Sequence, residues 1–520
     1  MTMMNPGRRR WWALGAITLA VLAITLDVTV LTVALPTLAG ALKASESELQ
    51  WFVTAYTLAL VAGMLPAGLI GDRYGRKAVM VGALLLFAAG STGCAYAPGP
   101  EVFIAARVLL GLAGAALIVL ALSIVTVLFD EAERPRAVGI WGAANFVGLP
   151  LGPILGGWIL THAWWGWIFL MNVPVALLGL VAVVALVPES RSAERPDIDG
   201  AGVLLSSAGL VALMYGVVEA GDNGWGSATA IVPAAIGLLL LAAFVSWERR
   251  LTGRPGRQPL VDLALFRSGS FTWGVVLTAF GVFGLFGVLF ALPQYFQAIM
   301  GLDAQGSGFR LLPVIAGLIV GAVPADRVAT RLGAKLTVAG GFAVVGVALA
   351  VGASLTATSG DAFIAAWTFV AGLGAGLGFA TSASSALAEL SAERSGVGAA
   401  LLQAIIKLGP AFGATILGSA LNSTYQGQVH LAGLPATAAA AVHDSVFGGI
   451  AVARQLGSPE LLASVRTAFV SGMDDAVRLA AIVAAAGVVL ALVFLPGRSA
   501  APVPSGAKPQ GVGHDIAVGG

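Results

Sequence analysis

Apolar runs of about 20 residues recur along the chain from near residue 12 to near residue 496, separated by short polar segments. Runs of this length are typical of α-helices that cross the hydrocarbon core of a lipid bilayer. The pattern predicts an all-α membrane protein with fourteen spans. Their expected positions are 12–35, 49–70, 78–97, 102–128, 137–160, 165–187, 200–220, 228–247, 271–293, 308–325, 336–354, 361–388, 398–421 and 478–496.

The composition agrees with that prediction and excludes other classes. Hydrophobic residues make up 58% of the chain and charged residues only 10%, against about 25% charged in soluble proteins. The net charge is +2, and the charged residues lie mostly in short clusters between the runs, so nucleic acid is not an expected partner. A phosphate-binding loop, a catalytic group and a metal cluster are all missing from the sequence. We therefore expect neither an enzyme nor a cofactor, and no use of ATP.

The distribution of lysine and arginine predicts the orientation. If the N-terminus is cytoplasmic, the loops and termini on that side hold 21 of the 28 basic residues. The opposite side holds five and the spans hold two. Basic residues accumulate in cytoplasmic loops, so both termini are predicted to be cytoplasmic, in a multi-pass protein of the plasma membrane.

An internal repeat predicts the domain organisation. The segment PAGLIGDRYGRK (66–77) aligns with PADRVATRLGAK (324–335). Two six-span halves separated by two extra spans explain this offset, and such parallel repeats are a transporter architecture with the substrate site between the halves. The expected units are a first bundle (1–190), two additional spans with a cytoplasmic linker (191–260), a second bundle (261–496) with a long extracellular loop (422–477), and a disordered cytoplasmic tail (497–520).

The loop between spans 2 and 3 reads GLIGDRYGRK, and its glycines permit a tight turn and close backbone approach. It resembles motif A of the major facilitator superfamily. In that family this loop holds the two halves together on the cytoplasmic side and releases them during transport. The resemblance implies a cytoplasmic gate formed by Gly68, Asp72, Arg73, Gly75, Arg76 and Lys77.

Span 5 contains GLPLGPILGGW, in which three glycines four residues apart share one helical face. That face is expected to form a groove for another helix, while an internal proline disturbs the helix locally. The stretch resembles the antiporter motif of drug exporters in the same superfamily. The residues that match are Gly148, Gly152, Pro153, Gly156 and Gly157. We expect span 5 to lie between the halves, against LLPVIAGLIVGAVP of span 10.

Asp27 lies about 22–24 Å along the first span at 1.5 Å per residue, within the hydrocarbon core. A carboxylate there costs about 2.5–3.5 kcal/mol, and an acid that gains and loses a proton as water reaches it suits proton coupling. A tolerated acid that bonds Thr25 or Thr29 is the alternative. The surrounding LDVTVLTVALP resembles the first span of fourteen-span drug:proton antiporters of the EmrB/QacA type, as WIFLMNVPVALLG (167–179) resembles their sixth.

Three further charged residues are candidates for the site. Arg107, about one turn into span 4, resembles the basic residue of motif B, which assists proton transfer; the alternative is a side chain that snorkels to the interface. Lys407, near the middle of span 13, would favour anionic or neutral polar substrates if it faces the cavity; a side chain that snorkels to the interface is the alternative. Glu219 closes span 7 and completes a candidate substrate cavity with Asp27 and Lys407.

Together these features predict a monomeric transporter that exports a drug-like, hydrophobic or amphipathic compound in exchange for protons, with Asp27 carrying the proton and Arg107 tuning it. The proton gradient supplies the energy. Two alternatives stay open at this point. One is a proton-coupled importer of a small organic solute with the same fold, and the other is a membrane enzyme or sensor that transports nothing.

Overall fold

A computed structural model describes residues 6–130, 133–191, 199–251, 259–261, 263–356, 358–388 and 395–496. Nearly all of these residues are helical. The α-helices are α1 Pro6–Leu42, α2 Glu46–Tyr74, α3 Arg76–Ala95, α4 Pro100–Leu128, α5 Arg134–His162, α6 Trp167–Leu170, α7 Asn172–Leu186, α8 Gly200–Asn223, α9 Ala228–Leu251, α10 Gly269–Gln294, α11 Ala304–Arg310, α12 Leu312–Ala322, α13 Ala325–Leu332, α14 Ala334–Gly352, α15 Asp361–Ala388, α16 Ser395–Gln428, α17 Ala436–Asp444, α18 Val446–Gln455 and α19 Pro459–Phe494.

Thirteen helices in the described part of the chain are long and apolar enough to cross a membrane. They correspond to the predicted spans except the fifth, whose position is occupied by the 29-residue helix α5. The all-α prediction is confirmed, and the count of fourteen stays a prediction. Two predicted spans are broken: span 6 at Met171, between α6 and α7, and span 10 at Leu311, between α11 and α12.

The segment predicted as a long loop, 422–477, is mostly helical. Helix α16 continues to Gln428, and α19 already begins at Pro459. The start of α19 is fixed by Ser458, whose side chain accepts a hydrogen bond from the backbone N–H of Leu461, with proline in the first turn. Helices α17 and α18 fill the shorter connection between them.

Helices α1–α7 contact mainly one another, and so do α10–α19. These two groups are called here the first and the second half, and α8 and α9 pack on each other. Helix α8 touches both halves. The Ser207 hydroxyl donates to the carbonyl of Ala62 in α2 at 2.7 Å, and the Thr415 hydroxyl of α16 donates to the carbonyl of Val217 in α8 at 3.2 Å. Helix α8 therefore contacts each half through a hydrogen bond between a side chain and a backbone carbonyl.

The two halves share one apolar core at the face that carries residues 71–77, here called the first face. Phe271, Ala386 and Ala400 of the second half belong to the same buried cluster as α1–α5. Towards the opposite, second face, a separate cluster has buried members only from 288–480, within the second half. The halves are therefore packed together at the first face and have separate cores towards the second.

Glycines set the distance between α12 and α15. A Cβ atom at Gly317 or Gly321 would run into the backbone carbonyls of Phe369 and Leu373 in α15. In return, a Cβ at Gly376 would meet the carbonyl of Leu318. Small residues allow such close backbone approach between helices in a membrane, where apolar burial gives no driving force.

Gly376→Ala should lower the thermal unfolding midpoint of the purified protein, because its Cβ would force α12 and α15 apart. Gly378→Ala is the matched control, since a Cβ there meets nothing within 4 Å, and it should unfold at or above the wild-type temperature. Equal midpoints for the two variants, measured by scanning fluorimetry in detergent, would contradict this packing account.

Candidate functional site

A buried ion pair lies inside the first half. The guanidinium Nη1 of Arg107 donates to Oδ2 of Asp27 at 2.5 Å, and the two residues are 0% and 1% exposed. Helix α4 begins at the second face, so Arg107 lies about 10 Å below that face at 1.5 Å per residue. It does not snorkel to the interface. Nor does Asp27 bond the neighbouring threonines, because the Thr29 hydroxyl donates to the carbonyl of Thr25 at 2.9 Å.

Both members of the pair have further partners. The second carboxylate oxygen of Asp27 accepts a hydrogen bond from Asn172 Nδ2 at 3.1 Å. Arg107 donates through Nε to the carbonyl of Phe52 at 2.9 Å, and its guanidinium carbon lies 4.3 Å from the ring centroid of Tyr56. Cation–π contacts of this kind hold a guanidinium by the ring quadrupole. Arg107 is therefore bound to α2 independently of Asp27.

Helix α1 connects this pair to the glycine-rich face of α5. A Cβ at Gly148 would lie 2.7 Å from Cβ of Thr25, and one at Gly152 would collide with Oγ1 of Thr29. The carbonyl oxygen of Gly148 lies 3.1 Å from the same hydroxyl, whose single hydrogen is shared between this acceptor and the carbonyl of Thr25. At 100° per residue these threonines lie on the side of α1 opposite Asp27. The ion pair and the glycine face thus hold α1 from opposite sides.

The other faces of α5 contact the second half. A Cβ at Gly308 of α11 would lie 3.1 Å from the carbonyl of Pro150, and one at Gly139 would lie 3.1 Å from the carbonyl of Ala322 in α12. Helix α5 therefore reaches span 10, whereas its glycines at 148, 152 and 156 pack against α1. A Cβ at Gly157 would meet nothing within 4 Å, and Pro153 lies inside the helix.

The 71–77 loop is tied to the end of the sixth span. The Glu189 carboxylate accepts the backbone N–H groups of Lys77 at 3.1 Å and Ala78 at 3.2 Å, at the N-terminus of α3. A carboxylate is favoured there by the helix dipole. The Lys77 ammonium donates to the carbonyl of Val184 at 2.7 Å. These contacts lie within the first half.

Inside the loop, Arg76 donates to Asp72 through Nε at 2.9 Å and Nη2 at 2.7 Å, and both residues are 1% exposed. Gly75 has a φ of +116°, which side chains rarely tolerate. Gly68 is buried in α2, and the Arg73 guanidinium lies 5.7 Å from the ring centroid of Tyr74. Helix α16 of the second half packs along α2 and α4 nearby.

The three residues proposed to share a substrate cavity are not in contact. Asp27 is enclosed in the first half, and Glu219 accepts a hydrogen bond from Asn223 at 2.8 Å near the second-face end of α8. Lys407 lies in α16 and is partly exposed. The structure thus joins Asp27 to Arg107, which the sequence analysis paired, and leaves the other two apart.

Most of the chain matches a known family in sequence. The model of the Major Facilitator Superfamily aligns with residues 17–414. The chain belongs to this superfamily. Its members are transporters and not enzymes, which agrees with the repeat of two helical halves described above.

Several relatives in the superfamily are similar over nearly their full length. "Multidrug efflux pump LfrA" of Mycolicibacterium smegmatis is 32% identical, over 94% of this chain and 96% of that protein. "Tetracenomycin C resistance and export protein" of Streptomyces glaucescens is 31% identical, over 95% and 93%. Among solved structures, the proton:xylose symporter XylE has a TM-score of 0.58 at 15% identity, over 95% of this chain and 97% of that one, which supports the superfamily fold.

Two contributors to the ion pair were missed in the sequence. Asn172 begins α7 directly after the break in span 6 and stands within a stretch compared with the family, but its amide was not assigned. A polar residue in an otherwise apolar span was the available signal. Tyr56 gave no such signal, because one tyrosine in an apolar helix is ordinary core composition.

The two single substitutions of the ion pair should together lower the thermal stability by more than the double substitution does. Asp27→Asn or Arg107→Gln alone leaves one buried charge without its counter-ion, which costs about 3–5 kcal/mol. The double variant removes both charges, so its thermal midpoint should fall by clearly less than the two single losses combined. Additive losses would show that the pair does not interact as described.

Gly75→Ala should slow transport and lower the thermal midpoint. Alanine is disfavoured at this φ, at about 1–3 kcal/mol, and its Cβ would lie 2.8 Å from Oε1 of Glu189. Gly82→Ala in α3 is the control, because a Cβ there meets nothing within 4 Å. Wild-type transport and thermal stability of both variants would contradict the expected strain of alanine in the turn at Gly75.

Proposed function

We propose that this chain exports drug-like compounds from the cytoplasm in exchange for protons, and that Asp27 carries the proton. The observation that supports this most is the fully buried Asp27–Arg107 pair. Charges inside a membrane are costly, and apolar residues of similar size often replace a buried pair at no cost in stability. Retention of both charges in a transporter therefore favours a role in the transport cycle.

The proposed cycle uses the two sets of partners. When Asp27 is protonated, it loses its attraction to Arg107, which stays bound to the Phe52 carbonyl and the Tyr56 ring. Helix α1 is then held mainly by the glycine face of α5, which also contacts the second half. Protonation can thus shift the position of α1 relative to α5 and, through α5, the packing between the two halves. The halves alternate access to the two sides of the membrane.

The orientation and the gate belong to the same proposal. The accumulation of basic residues places the first face and both termini in the cytoplasm. The 71–77 loop then guards the cytoplasmic end, where the halves share a core. The names of the efflux relatives support export, and their drug and antibiotic substrates suggest a hydrophobic or amphipathic cargo. No cofactor is needed, and the chain acts as a monomer.

Compound-induced proton release from inverted membrane vesicles tests the role of Asp27. Wild type should release protons with at least one of a panel of antibiotics and dyes, and Asp27→Asn should fall to the level of vesicles without the protein. Asp361→Asn is the matched control, since Asp361 also pairs with an arginine, Arg310, at 2.7 Å, but its side chain is 64% exposed. It should behave as wild type. Equal release by wild type and Asp27→Asn would exclude Asp27 as the carrier.

The same vesicles separate export from the import alternative. Vesicles energised so that their interior is acidic should accumulate the active compound, because their interior corresponds to the outside of the cell. A proton-coupled importer would instead expel it. Accumulation that is lost when the pH gradient is collapsed would support the antiporter, and expulsion would overturn it.

A further inference from the structure

Lys407 is a charged residue near the middle of a membrane-spanning helix. It lies 12 residues into α16, about 18 Å from the helix start at 1.5 Å per residue. Among the residues that the structure describes, none forms a hydrogen bond or an ion pair with its ammonium group. A charged lysine in this position costs free energy, which favours a functional role for its side chain.

The helix geometry shows which way this lysine is directed. Ile405 and Ile416 line an apolar cavity of about 360 Å³ together with residues of α10 and Val483 of α19. At about 100° per residue, Lys407 lies roughly 180–200° around α16 from these two isoleucines. It therefore lies on the opposite side of the helix from that cavity, in line with Gln403 and Ala400.

That line of residues runs from the closed core into open space. Ala400 is 0% and Gln403 2% exposed, and Ala400 belongs to the core shared by the halves. Lys407 is partly exposed, as are Ala411 and Ala414 beyond it towards the second face. The lysine thus stands where the packing between the halves ends. The two alanines beyond it have small side chains and are themselves partly exposed.

We propose that Lys407 is an anion-recognition site at the floor of the space between the halves, and that it selects compounds with an ionised acid group. An amine-to-carboxylate bond there would be charge-assisted and shielded from water. Asp27 does not compete for the lysine, because Arg107 and Asn172 occupy its carboxylate. This inference rests on the proposed export function and adds the substrate class to it.

Two dyes that differ by one group provide the test. Rhodamine 110 carries a free carboxylate, and rhodamine 123 is its methyl ester. Fluorescence anisotropy titrations with the purified full-length protein should show tighter binding of the acid, by about tenfold for one charge-assisted bond. Lys407→Gln should lose this preference, and Lys407→Arg should keep much of it. Lys43→Gln removes a charge at an exposed position and should bind as wild type.

Three results would overturn the proposal. They are equal affinity of wild type for the acid and the ester, no binding of the acid, and an unchanged acid preference in Lys407→Gln. Lys407→Gln should also unfold at or above the wild-type temperature, because it removes a charge within a membrane span that pairs with none of the described residues. A large loss of stability would instead reveal a structural role for the lysine.

Binding is measured without a proton gradient, so this test is separate from that of the export function. An acid preference that depends on Lys407, combined with no proton release from vesicles, would refute proton-coupled export and leave the recognition site standing. Normal proton release without any acid preference would support proton-coupled export and refute the recognition site at Lys407.

Discussion

A carboxylate and a guanidinium that are paired and buried together in the first half are the constraint on which the rest of this structure depends. Neither Asp27 nor Arg107 could stay charged alone at that depth, so each fixes the position of the helix that carries the other. Arg107 has a second set of contacts on α2, while Asp27, among the described residues, has Asn172 as its one further partner. Loss of the carboxylate charge would therefore weaken the attachment of α1 to α4 and leave α2 and α4 together.

The position of α1 makes such a release matter at a distance. One side of the helix carries the ion pair, and the other lies on glycines of α5, close enough that a methyl group at Gly152 would not fit. Helix α5 in turn touches α11 and α12 of the second half. A change at Asp27 can thus reach the junction of the halves through two helix contacts. That junction is closed at the first face, where Lys407 marks the end of the shared core.

Much of this was predictable from the sequence, and the limits have physical causes. Span periodicity and motif resemblance are local signals, so the all-α transporter fold and the candidate residues Asp27 and Arg107 could be found directly. The partners of those residues are set by helix rotation, which apolar periodicity leaves open in a membrane, because lipid-facing and core-facing residues are equally apolar. Asn172 and Tyr56 were missed for that reason. The pattern of residues 458–478 was compatible with short amphipathic helices, but the continuation of α16 and α19 into the segment 422–477 was not predicted, because polar residues there end the apolar runs.

The central claim is that Asp27 gains and loses a proton while the rest of the fold stays intact. Infrared difference spectroscopy of the reconstituted protein, on stepping the pH down, measures this most directly. The account predicts a carbonyl band of a protonated carboxyl group that is present in wild type and in Asp361→Asn and absent in Asp27→Asn. It also predicts that a transported compound, added at constant pH, reduces this band. A band that persists unchanged in Asp27→Asn would contradict the account.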